Sequence, residues 1–348
     1  MSELDSAGRE SHPSPGSPPA SGVTFASLGV LGSAAVPRLA RRSAELGYRS
    51  FWTAEANGTE AFSVLGAAGA SASLDLGTGV VPIQLRTPPL TAMAAATLQG
   101  LVPDRTISLG IGASSPAVVQ QWHGAELGER PIAQVREYCE LVRACLSGET
   151  VSFTGDFWSV PRFRLGQRLA RTPELVIAAL GPRMLRLAGE IADGVLLNYL
   201  PAGHVGWSVD HVREGERLAG RAPGSCTVYA YVHVGVCDRE QAAEKARRDL
   251  FSYAVVDAYA DSFRTAGFGA EVDELRARHQ ARDRAGALAA VSDAMVDAID
   301  ICGDAATVGN AIGQYRTAGV DHPILMPLPW GDERWAVVDA TLEAGRNV

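Results

Sequence analysis

Lysine is all but missing from this chain: of 31 basic residues, only Lys245 is a lysine. With a formal net charge of −8 and no basic cluster, nucleic acid and anionic membranes are excluded as main partners. Cysteine is sparse too. The five (Cys139, Cys145, Cys226, Cys237, Cys302) are scattered, and none sits in a CxxC pair, so neither a zinc site nor a disulfide framework is indicated. No apolar run is long enough to span a bilayer. The first residues, MSELDSAGRESHPSPGSPPASG, lack an apolar export core and a twin arginine, and their Ser, Pro and Gly content predicts a disordered tail over residues 1–21. A cytoplasmic location is the expectation. Among catalytic fingerprints, GxSxG and the P-loop are absent, and Gly110-Ile111-Gly112 lacks the third glycine of a dinucleotide turn.

What is present is alternation. Apolar runs at 23–30, 48–54, 76–81, 105–112, 174–180, 194–200, 226–236 and 322–327 read as strands, each followed by a helical pattern. Nearly all lack the every-second-residue polarity of a half-solvated sheet, as parallel strands covered on both faces should. Eight such units predict an α/β fold, a (β/α)8 TIM barrel filling residues 22–348, with an open doubly wound sheet as the alternative. Two stretches exceed an ordinary crossover: about 113–170, containing a hairpin near Gly155, and about 238–303, largely helical. Both read as insertions.

The third strand is peculiar. LGTGVV (76–81) reads as a buried strand, yet Pro82 interrupts it, and Arg86, Pro88 and Pro89 follow. Proline removes a ladder donor, so a central strand tolerates it only at an end or a bulge.

In a barrel, chemistry sits where strands end. Those ends hold Glu55, Val80 to Arg86, Gly112-Ala113-Ser114-Ser115, Leu180-Gly181-Pro182-Arg183, Asn198-Tyr199 and His233, with no group of metal-ligand spacing; no metal is expected. A site this poor in acids and bases points to a bound cofactor as the source of reactivity. At ALGPRMLRLAGEIADG (179–194) a strand ends at Gly181 and Pro182 takes the first helical position. The Arg183 and Met184 amides, the helix dipole and the Arg183 guanidinium would together hold a phosphate. An ordinary strand–helix turn bearing a surface arginine has the same pattern.

The run from Gly79-Val80-Val81-Pro82 to Arg86-Thr87-Pro88-Pro89, then LGIGASSP (109–116), QWHG (121–124) and AALGPRMLRLAGEIADG, resembles the bacterial luciferase-like superfamily. Within it, the similarity is nearest to oxidoreductases that use the deazaflavin coenzyme F420. The resemblance implies a non-prolyl cis peptide at Gly79–Val80 in a bulge backing the cofactor ring, with Pro82 ending the ladder. It implies a cofactor site of Glu55, Gly79, Val80, Pro82, Gly112, Ala113, Ser114, Leu180, Gly181, Pro182, Arg183 and Met184. Glu55 is the one carboxylate considered for proton transfer. Where the family's sugar-phosphate dehydrogenases carry a catalytic histidine and glutamate, this chain has Ala56 and Ser115, which argues against that substrate. Trp52, His123, Asn198 and Tyr199 are candidate substrate contacts. His233, mid-strand among apolar neighbours, reads as a hydrogen-bonded core histidine. The implied activity is hydride transfer between the deazaflavin and a small molecule such as an enone, imine, carbonyl or alcohol. An FMN-dependent monooxygenase and a non-catalytic deazaflavin-binding protein are the alternatives, and a homodimer is the expected assembly.

Overall fold

A computed structural model describes residues 21–346. The tail expected over 1–21 lies outside the described residues except for Ser21. That residue is buried, and its carbonyl accepts from the Arg49 amide at 2.8 Å, so it belongs to the fold.

Eight parallel strands close a barrel: β1 (Gly22–Thr24), β2 (Ser50–Thr53), β3 (Asp75–Thr78), β4 (Ile107–Gly112), β5 (Glu174–Ala178), β6 (Gly194–Leu197), β7 (Thr227–Val236) and β8 (His322–Pro327). Each pairs with the next, and β8 returns to β1 through Gly22–Ile324 and Val23–Leu325. The open-sheet alternative is thereby excluded. The first strand is shorter than expected: Gly29–Leu31 and Ser33–Ala35 form single 3-10 turns, and the first helix begins at Val36.

Packing follows from the apolar pattern. One core lies between the barrel and its helices, where β-strand residues such as Leu109, Ile177 and Val195 meet Leu39, Leu65 and Leu185. A second plugs the barrel itself: Trp52, Val176, Leu196, Tyr229, Tyr231, Ile324 and Met326. Gly77 makes room for the plug, since a Cβ there would lie 2.3 Å from the Trp52 indole. Burying a Leu or Ile side chain of this kind stabilises the fold by about 1.5–3 kcal/mol.

Two segments leave the barrel plan. Between β4 and β5, the helix Pro131–Leu146 is followed by a hairpin of Val151–Thr154 and Ser159–Phe163. Between β7 and β8, five α-helices and one π-helical turn from Arg239 to Ile299 surround a third core containing Tyr199, Leu250, Phe263 and Met295. They end in a strand that sequence periodicity did not reveal, Asp300–Gly303, which pairs with the upper half of β7 through His233–Asp300. No helix among the described residues is long and apolar enough to cross a membrane.

Candidate active site

The interruption of β3 is a bulge. The peptide bond Gly79–Val80 is cis, and the chain then re-pairs, with Val81 and Pro82 beside Ile111 and Gly112 of β4. The expectation that Pro82 ends the ladder is therefore corrected. Proline lacks a donor, and the next amide takes over, with Ile83 N–H donating to the Gly112 carbonyl at 3.1 Å. The bulge is fixed from both sides. Gly79 N–H donates to the Thr53 carbonyl at 2.7 Å, and the Tyr231 hydroxyl donates to the Gly79 carbonyl at 3.0 Å. Gly79, Pro82 and Gly112 are buried behind it, whereas Val80 is half-buried and packs on the barrel plug.

On the far side of β4 lies the turn after β5. Gly181 to Arg183 are exposed and Leu180 and Met184 half-buried. A Cβ on Gly181 would meet nothing within 4 Å, so the approach to this helix start is open. The Met184 amide is not free, because the first turn tightens and it donates to the Gly181 carbonyl at 3.1 Å. The Arg183 guanidinium has no hydrogen bond or ion pair among the described residues.

Glu55 is not a free acid. Arg86 donates to it from Nε at 3.0 Å and from Nη2 at 2.9 Å, and the Ala61 amide adds a third bond at 3.1 Å. Arg86 also pairs with Glu60, and its carbonyl accepts from Tyr138 Oη at 3.0 Å. This assembly braces the loop that carries the bulge.

Trp52 does not line a pocket. It is 1% exposed inside the barrel, and its Nε1 donates to Ser50 Oγ at 2.8 Å. The sequence placed it near a strand end, but β2 directs its ring inward beneath the mouth. His123 is exposed after a π-helical turn, Ala117–Trp122, with Nε2 2.5 Å from the Ala56 carbonyl. Ala113 and Ser114 stand at the rim, exposed and half-buried respectively.

Asn198 and Tyr199 are brought together with residues that pattern reading did not join to them. Asn198 Oδ1 accepts from the Tyr199 amide at 3.0 Å and meets His233 Nε2 at 2.9 Å. His233 Nδ1 lies 3.1 Å from Asp300 Oδ1, and Tyr199 Oη donates to Asp249 Oδ2 at 2.7 Å. Tyr199 is in the left-handed region at φ 49°, an arrangement that costs a non-glycine residue of order 1–2 kcal/mol and persists only where neighbours fix it. Tyr253 packs against it with centroids 3.7 Å apart and planes tilted by 32°, and His233 meets it edge-on at 4.1 Å. Burial pushes Asp249 up to about 6 and His233 down to about 4, and holds Asp300 well above the ordinary carboxyl range. His233 is thus buried and hydrogen-bonded, as expected. Its acidic partners were invisible because Asp249 and Asp300 come from an insertion helix and an unforeseen strand.

A cavity of about 380 Å³ opens over this group, lined among others by Ala26, Tyr199, Lys245, Asp249, Met326 and Trp330. Ala26 of the cavity and the bulge residue Val80 both pack on the barrel plug, of which Met326 is part. A larger cleft of about 640 Å³ lies outside the barrel, between the Ile83–Thr87 loop and the 126–158 segment. It holds none of the strand-end residues beyond that loop.

Residues 20–322 match the model of the family described as luciferase-like monooxygenase. The chain belongs to that family. It is 30% identical over 300 residues to the "Putative coenzyme F420-dependent oxidoreductase" of Mycobacterium tuberculosis, covering 79% of this chain and 86% of that protein. It is 26% identical to the 5,10-methylenetetrahydromethanopterin reductase of Archaeoglobus fulgidus over 72% of this chain and 76% of the relative. Among solved structures, the coenzyme F420-dependent tetrahydromethanopterin reductase of Methanopyrus kandleri superposes with a TM-score of 0.77. The match is 22% identical and covers 95% of this chain and 98% of the other. That likeness shows a shared (β/α)8 barrel fold.

Proposed function

We propose that this chain is an oxidoreductase that binds coenzyme F420 and moves a hydride between it and a small organic molecule. The observation that carries this reading is the bulge at Gly79–Val80, which presents a half-buried Val80 to the mouth while Tyr231 and Thr53 hold it from behind. The names of the relatives support the cofactor class.

The residues present fit a flat heterocycle on a phosphate-bearing tail. Val80, Ala113 and Ser114 offer a wall for the ring. The open helix start at Gly181, the free Arg183 amide and the Arg183 guanidinium offer one anionic group a place. The bound deazaflavin would supply or accept the hydride. The chain's own part is to orient the substrate against that ring and to keep water out. Glu55, locked to Arg86, contributes position. The aromatic lining of Tyr199, Tyr253 and Trp330 suits a substrate such as an enone, imine, carbonyl or alcohol. A cytoplasmic homodimer is the working assembly.

Titration of the purified chain with F420 and with FMN, followed by absorbance and fluorescence, tests the reading. Saturable F420 binding and hydride exchange with slow reaction toward oxygen are expected. Preferential FMN binding with rapid oxygen uptake would replace it with a monooxygenase, and F420 binding without exchange across a carbonyl and alkene panel would leave only a binding protein.

A further inference from the structure

Three residues from three distant segments, His233, Asp249 and Asp300, meet beneath the 380 Å³ cavity. Their proton inventory follows from one donor that cannot change its role. The Tyr199 amide only donates, so the Asn198 side-chain atom it meets is the oxygen. His233 Nε2 faces that same oxygen and must also donate. A neutral ring protonated at Nε2 has only a lone pair at Nδ1. The contact from Nδ1 to Asp300 Oδ1 therefore needs a proton between the two atoms. With one proton shared by His233 and Asp300, the Asp249 carboxyl, which lies within 4.8 Å of both, takes a second, because buried carboxylates this close do not both ionise. Asp300 Oδ2, fully buried, has no conventional donor to meet it. Two acid protons thus neutralise the group, the state that a low dielectric favours.

We propose that Asp249 is the general acid of this enzyme, delivering to the substrate the proton that accompanies hydride transfer, with Asp300 and His233 as positioning residues behind it. The inference rests on the deazaflavin reading above. In reduction of a C=O or C=N bond, the carbon would take the hydride that a bound reduced deazaflavin would supply, and the π pair would move to the heteroatom. The heteroatom takes the Asp249 proton, leaving a carboxylate that is reprotonated by water through the cavity. Oxidation of an alcohol runs the same steps backward, with Asp249 accepting the proton. Asp249 lines the cavity and is held by Tyr199 Oη. The other titratable or charged groups facing it are Asp300 and His233 behind, and Tyr199, Tyr253, Lys245 and Arg334 around the opening.

The test uses the full chain with Asp249→Asn and Tyr199→Phe. Infrared difference spectra of the cofactor-free protein should show a carboxylic acid carbonyl stretch that fades as pH rises through about 6 and is missing in Asp249→Asn. With F420 bound, Asp249→Asn should leave cofactor affinity unchanged and lower the turnover of carbonyl reduction roughly 100- to 10,000-fold. Tyr199→Phe removes a donor that favours the carboxylate, so the pH limb of turnover should move upward; this variant carries the test if Asp249→Asn does not fold. Unchanged turnover and pH profile in a variant that still binds F420 would overturn the proposal. So would Mn²⁺ or Zn²⁺ binding to the wild-type protein that Asp300→Asn abolishes, since a cation would then neutralise these carboxylates. If the wild type binds no F420, the cofactor reading falls, and the infrared arm still decides whether the proton store exists.

Discussion

Arg86 holds Glu55 with two near-parallel bonds, Nε to Oε1 at 3.0 Å and Nη2 to Oε2 at 2.9 Å, with the two side chains 14% and 13% exposed. Paired planar groups of this kind are costly to break because the survivor is left in a poorly solvated site. Glu55→Gln is expected to cost about 2 kcal/mol in urea unfolding, and Arg86→Met, which strands Glu55, about 3 kcal/mol. Cofactor-bound turnover of Glu55→Gln should fall little. A large loss of turnover at undiminished stability would return Glu55 to the list of chemical groups.

The bulge depends on a close approach between β3 and β4. A Cβ on Gly110 would lie 1.8 Å from the Thr78 carbonyl oxygen, a backbone atom that cannot rotate aside. Gly110→Ala should therefore destabilise the fold at the upper end of overpacking costs, about 3 kcal/mol, seen as a lowered urea midpoint. Gly181→Ala is the control. Its Cβ meets open space, and stability should stay within about 0.5 kcal/mol.

Much of this architecture could be read from hydropathy and turn chemistry. All eight barrel strands were placed, because a parallel strand covered on both faces leaves a continuous apolar run, as ILMP within β8 does. The bend in β3 announced itself through Pro82. Trp52 was misplaced because a residue two positions from a strand end can point into the barrel or onto its rim, and hydropathy does not distinguish them. Asp300 escaped because a four-residue strand after a helix has no periodicity to detect. The His233 cluster needs long-range pairing of β7 with that strand, which composition and spacing do not encode.

Arg183 offers the sharpest binding prediction. Its side chain is exposed at an open helix start and makes no competing ion pair among the described residues. A charge-assisted hydrogen bond to a phosphate is worth about 1.5–3 kcal/mol. Arg183→Glu should thus weaken F420 binding by at least about tenfold in fluorescence titration, with unfolding unchanged. Equal affinity in the variant would remove this turn from the cofactor site.

The barrel floor predicts acid lability of a particular origin. Trp52 Nε1 donates to Ser50 Oγ, which lies 2.8 Å from His322 Nε2, and the His322 ring is fully enclosed at this end of the barrel. Burial, reinforced by the Arg316 and Arg49 charges, pushes His322 down to about 3. In the unfolded chain a histidine titrates near about 6.5. Between those values the unfolded state binds the extra proton and the folded state does not, so stability is fully present above about 6.5 and is lost as pH falls toward 3. The slope from this one residue is roughly 1.4 kcal/mol per pH unit. Asp249 and Asp300 act in the opposite sense, since their raised values let the folded state hold protons that are lost as pH rises. Comparing wild type with His322→Asn isolates the histidine. The variant should show a flatter fall in urea midpoint below pH 6.5, whatever its stability at neutral pH, and parallel acid limbs would mean that burial does not depress His322.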